Sequence, residues 1–123
     1  MAIRDTARAL RDGRLRSRDL VEQCLARIEE WQPITNAFID VDAHAAARAA
    51  DEADAQLRAG HDRGVLHGVP LSLKDLIDQQ GHVTTAGSRS MTAVAEADAP
   101  AVASLRLHGP VLLGRTNMHE FAM

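Results

Sequence analysis

Large rings are nearly missing from this chain of 123 residues: Trp31, Phe38 and Phe121 are the only ones, and there is no tyrosine. Alanine and aliphatic side chains must therefore fill the core. Each buries little area, so burial stabilises the segment only modestly. Cysteine occurs once, as Cys24, which excludes an intrachain disulfide and points to a reducing compartment, the cytoplasm. No apolar run approaches the length of a membrane span, and Met1–Leu10 alternates charge with alanine where a signal peptide needs an apolar centre. A basic excess is lacking too. The net charge of -3 offers no electrostatic footprint for nucleic acid. Lysine is scarcest among the cations: of 14 lysines plus arginines, Lys74 is the sole lysine. Genomic base composition explains an arginine bias in general. Yet an arginine cannot give up its proton near neutral pH, whereas a desolvated lysine can, so the setting of Lys74 matters.

What is present suits one soluble domain, with 46% apolar and 25% charged residues. Asp5 or Thr6 is expected to cap a short helix over Ala7–Arg11 that Gly13 closes. Ser17 is expected to cap a longer one, with Leu20, Val21, Cys24, Leu25, Ile28 and Trp31 as its apolar stripe and Pro33 as its stop. Asn36–Val41 has strand character, with Ala37, Ile39 and Val41 on one face. Asp42 then caps an alanine-rich helix, Ala43–Ala59, closed by Gly60. The polar link His61–Gly64 is the best internal boundary, dividing a helical segment at 1–60 from an α/β segment at 61–123. In the second segment Val69–Leu73 and Val111–Leu113 read as strands. A helix over Ala99–His108 lies between them, with Pro100 in its first turn. Helices alternating with short apolar strands predict an α/β layer architecture.

Lys74 ends the run Val69-Pro70-Leu71-Ser72-Leu73. Alternation puts Leu71 and Leu73 on one side of the strand and Ser72 and Lys74 on the other. Two readings follow from this local pattern: a surface lysine paired with Asp75 or Asp78, or a partly desolvated amine able to act as a base.

The wider sequence discriminates between them. GVPLSLKD at Gly68–Asp75, GHVTTAGS at Gly81–Ser88 and DAPAVASLRLHGPVLLGRTNMHEFAM at Asp98–Met123 resemble the amidase-signature family, in that order. RSRDLVEQCLARIEEW at Arg16–Trp31 and the NAFIDV strand are similar as well, so the resemblance covers essentially the whole chain. Pro110 departs from it, standing where relatives usually carry a small residue such as alanine; at a strand entrance that is tolerable. The resemblance implies the N-terminal part of the amidase-signature fold, a mixed sheet flanked by helices, here incomplete. It implies amide C–N hydrolysis, or glutamine-dependent amidotransfer, by a Ser–cis-Ser–Lys triad. In that triad Lys74 is the base, with Asp75 as structural support; Ala122 and Met123 match positions that approach the acyl pocket in relatives, with simple packing in the core as the other reading. Both serines belong to a downstream glycine- and serine-rich segment that these 123 residues lack, so the fragment is expected to be inactive. Ser88 lacks the flanking glycines of a nucleophile loop. The implied partners are a small-molecule amide substrate and, for an amidotransferase, its other subunits; no cofactor and no metal are implied. A reading from another class is a non-catalytic truncated product that binds or scaffolds a partner through unpaired strand edges.

Other motifs fail on inspection. Gly109–Thr116 nearly spells a phosphate loop, but arginine replaces its lysine and the loop positions read as strand. His119-Glu120 begins a zinc-protease pattern whose second histidine position is Met123.

Overall fold

The computed structural model describes residues 2–123. In chain order it contains α1 (Ile3–Arg11), α2 (Ser17–Thr35), β1 (Phe38–Val41), α3 (Ala43–Arg58), β2 (Pro70–Lys74), α4 (Pro100–Leu107), β3 (Val111–Thr116) and a single 3-10 turn at Glu120–Ala122. The sheet order is β1-β3-β2, with β3 antiparallel to β1 and parallel to β2. The α/β architecture with a mixed sheet is thus the expected one. The sheet takes β1 from residues 1–60 and β2 and β3 from 61–123.

Alternation along β3 decides what the sheet buries. Val111, Leu113 and Arg115 point into the protein, while Leu112, Gly114 and Thr116 are only half-buried on the other face. Val111 and Leu113 join Val21 of α2 and Ala46 and Ala50 of α3 in the core, with Cys24, Leu25, Ile28 and Ala49 packed around them. Alanines at 46, 50 and 53 lie on one helical face and are all buried, so α3 packs closely against its neighbours. The scarce rings contribute little to this core: Trp31 is 52% exposed and Phe121 44%. Partial burial pushes the Cys24 thiol pKa up, against the opposing charge of Arg27.

Helix α2 is capped from a distance. Arg16 stands at its N-cap and offers no side-chain bond. Instead Asp54 of α3 accepts from the backbone N–H groups of Ser17 at 2.7 Å and Arg18 at 3.1 Å. The Ser17 hydroxyl, expected to cap, donates to the Gly68 carbonyl at 2.7 Å, tying the helix start to the entrance of β2. Gly68 itself has φ +75, and a Cβ there would stand 3.1 Å from the Ser17 Cβ. Asp42 caps α3 locally as its sequence position predicts, accepting from Ala45 N at 2.8 Å.

Three further helix and strand details differ from expectation. Helix α1 starts at Ile3, one turn early, because the Ala2 carbonyl accepts from Asp5 and Thr6 and no side-chain cap is needed. Pro33 lies inside α2, which runs on to a left-handed Asn36 at φ +46. The Gln32 amide then bridges to β1, donating to Phe38 O at 2.7 Å and accepting from Phe38 N at 3.0 Å. In β1 the register slips between Phe38 and Asp40, so the alternation expected there is broken and Ile39 is 44% exposed. That strand crosses β3 closely at Gly114, where any Cβ would lie 2.1 Å from the Asp40 carbonyl oxygen.

Candidate active site

Strand β2 carries Leu73 into the core and presents Ser72 and Lys74 on the opposite, exposed side, as alternation requires. Lys74 pairs with Thr116 across the parallel ladder and its carbonyl accepts from Ile77 N at 3.0 Å, closing a turn. Its side chain is exposed rather than partly desolvated, on the strand face opposite the buried Leu73. Lys74 takes part in none of the ion pairs among the described residues.

Asp75, the next residue, faces the interior and is fully buried. Its carboxylate receives Arg115 Nη2 at 3.0 Å and Thr85 N at 3.1 Å on Oδ1, and the Thr85 hydroxyl on Oδ2. Its backbone is held as firmly: Asp75 N donates to Thr116 O at 3.1 Å, and Asp75 O accepts from Ala86 N at 2.9 Å. A buried carboxylate needs this degree of pairing, since an uncompensated charge in the interior is strongly unfavourable. Arg115 is 4% exposed, and its Nε and Nη1 have no partner among the described residues.

The 85–88 turn joins this pair to the end of the chain. Ala86 sits at φ +50, and its carbonyl accepts from Phe121 N at 2.7 Å. Gly87 allows close approach, because a Cβ there would be 2.8 Å from the Met118 carbonyl oxygen. Ser88 is 5% exposed and donates to the Glu120 carboxylate. Phe121 and Ala122 both adopt positive φ, +50 and +61. Ala122 and Met123 are exposed, Met123 at 92%, so neither packs into this core. An open cavity of about 370 Å³ lies beside the turn, lined by Ile39, Thr85, Gly87, Ser88, Arg89, Met91 and Asn117.

Sequence reasoning singled out Lys74, Ala122 and Met123 but missed Arg115 and Thr85. The signal for Arg115 was available: it continues the period-two pattern of Val111 and Leu113, which marks a buried position. Thr85 had no such signal, because its partner is ten residues away across a turn. Away from this site, burial lowers the His67 pKa, reinforced by Arg63 and opposed by Asp62. The bond from Arg11 holds the Asp62 carboxyl below its ordinary range, and Arg106 does the same for Asp98. No group of three His, Cys, Asp or Glu side chains stands close enough to hold a metal among the described residues. No described helix is long and apolar enough to cross a membrane.

The helix-flanked mixed sheet is a fold found in other proteins. Residues 19–123 match the Amidase family, and the chain belongs to it. The A-subunit of the glutamyl-tRNA(Gln) amidotransferase of Halorhodospira halophila is 45% identical over 98% of this chain and 25% of its own length. Its counterpart from Pseudomonas fluorescens is 41% identical over the whole chain and 26% of its own length. Among solved structures, an amidase superposes with a TM-score of 0.90 at 38% identity, covering all of this chain and 28% of its own. The native peptide amidase of Stenotrophomonas maltophilia gives 0.91 at 35% identity, covering 98% and 25%. The chain therefore spans about a quarter of the length of the curated relatives it matches.

Proposed function

We propose that these residues form the base-bearing quarter of an amidase or amidotransferase, with Lys74 as the general base of a Ser–cis-Ser–Lys triad. The observation that carries this reading is the position of Lys74 in a family-matching segment, at the end of a strand whose other face is anchored in the core. The lysine in its neutral form accepts a proton from a bridging serine, which activates the nucleophilic serine for attack on an amide carbonyl. Both serines lie outside the 123 residues, so these residues alone hydrolyse no amide. A neutral amine requires loss of water, and that follows once the exposed end of β2 is covered by further protein. Ala122 and Met123, exposed at the far end of the 85–88 turn, form part of the acyl pocket. The substrate is a small-molecule amide. In the amidotransferase version, further subunits consume the released ammonia.

The test is Lys74→Ala in a product of the reading frame that includes a serine-rich segment. Amide hydrolysis should fall by roughly 1,000-fold or more in kcat, the effect of losing a triad base. Unchanged turnover in that variant would remove Lys74 from the mechanism.

A further inference from the structure

Asp75 does more than support the lysine beside it, because its bonds extend across the turn to the end of the chain. From Lys74 the connection runs through one peptide to Asp75, from Asp75 O to Ala86 N at 2.9 Å, and from Ala86 O to Phe121 N at 2.7 Å. Consecutive Cα atoms are about 3.8 Å apart, and Cα atoms paired across backbone hydrogen bonds about 5 Å. Lys74 and Phe121 are thus held within roughly 15 Å of each other by two hydrogen-bonded steps. Both steps depend on the turn at Ala86, whose positive φ is unfavourable for a residue with a Cβ. Thr85 fixes that turn: its N–H and hydroxyl both bind the Asp75 carboxylate, and the hydroxyl oxygen accepts from Gly87 N at 3.1 Å. Arg115 in turn fixes the carboxylate from β3, the strand hydrogen-bonded beside Lys74.

We propose that Thr85 and Arg115 are positioning residues: through the buried Asp75 they set where Lys74 stands relative to the Phe121–Met123 segment. The proposal rests on the reading of Lys74 as base and adds what orients it. Neither residue touches the reacting atoms. Each acts through Asp75, and a fully buried ion pair suits that role because its geometry specifies one arrangement of the elements it joins.

The sole lysine makes the test direct. A nitroxide attached to Lys74 of the 123-residue chain, with the α-amine blocked, broadens nearby amide signals in NMR spectra. The parent should show broadening at residues 121–123. Thr85→Val, which keeps shape and loses the hydroxyl, should restore at least half of the lost intensity there. It should also speed hydrogen exchange at the Ala86 and Phe121 amides by about tenfold or more, as expected for opening of a local unit, while Val21 and Val111 stay protected. Thr85→Ser should return both readouts to the parent values. Arg115→Gln, which keeps an N–H donor and leaves Lys74 the sole lysine, should give an intermediate loss. Parent-like broadening and exchange in Thr85→Val would overturn the proposal. So would exchange that rises equally along the whole chain, or a failure of both Thr85→Val and Arg115→Gln to fold, because the network would then serve stability alone. None of these results bears on turnover in Lys74→Ala, so the base and its positioning stand or fall separately.

Discussion

Replacing Asp54 by alanine should destabilise the fold far more than a helix-surface substitution. Asp54 is 7% exposed and supplies the acceptors for two N–H groups at the start of α2. Ser17 is fully buried, so its N–H would be left without water or protein, a loss of about 1–3 kcal/mol. The Arg18 N–H lies nearer solvent and recovers much of its bond from water, for a loss of roughly 0.5 kcal/mol. Against this, alanine no longer buries a carboxylate, which offsets part of the loss. The net expectation is about 1.5–3 kcal/mol, or a fall in Tm of roughly 5–10 °C for a domain of this size. Asp42→Ala is the internal comparison. Its single bond, to Ala45 N, is exposed and local, and its loss should lie near 1 kcal/mol. Urea denaturation followed by circular dichroism measures both. A loss for Asp54→Ala no larger than that for Asp42→Ala would refute the view that α2 is capped from α3.

Gly114→Ala should strip β1 from the sheet, since a Cβ 2.1 Å from the Asp40 carbonyl oxygen meets backbone that cannot give way. A loss above about 3 kcal/mol and fast hydrogen exchange at the β1 amides are expected, and near-parent stability would contradict the close crossing. His67 is buried with its pKa lowered by burial, so the folded state favours the neutral ring. Its contribution is therefore complete above the unfolded histidine pKa of about 6.5 and is lost as pH falls through the lower folded value. As pH falls below about 6.5 the parent should lose stability more steeply than His67→Asn, measured by denaturant midpoints at successive pH values; identical slopes would contradict it.

Much of the fold was legible where local chemistry decides it. Asp42 caps α3 because its own side chain reaches back three residues, and Gly13 and Gly60 end their helices at positive φ. The strand reading of Val111–Leu113, extended in the structure to Thr116, rests on alternation that the burial pattern repeats. Sequence reasoning failed where the decisive partner is distant. Ser17 looked like a cap, yet an aspartate 37 residues away takes that place and frees the hydroxyl for Gly68. Pro33 looked like a stop, but a proline removes a single donor, and α2 continues through it for two residues. The same rule governs the candidate site. Lys74 and its strand face could be read from spacing and motif. The covering that would desolvate it could not, because Lys74 is exposed among these residues.

The order of the strands has a consequence for how the nascent polypeptide acquires its shape. Strand β3 is central, yet it is the last of the three to leave the ribosome, and its neighbours β1 and β2 are not bonded to each other. Until Val111–Thr116 emerges, everything upstream can form helices but no part of this sheet, so α2 and α3 can pack on each other while the apolar surface that meets Val111 and Leu113 stays open. Such late closure between distant parts of a chain slows folding and prolongs exposure to chaperones and to other unfolded chains. A ribosome paused shortly before residue 111 should therefore hold a helical but protease-sensitive product, and resistance should arrive abruptly once β3 is clear.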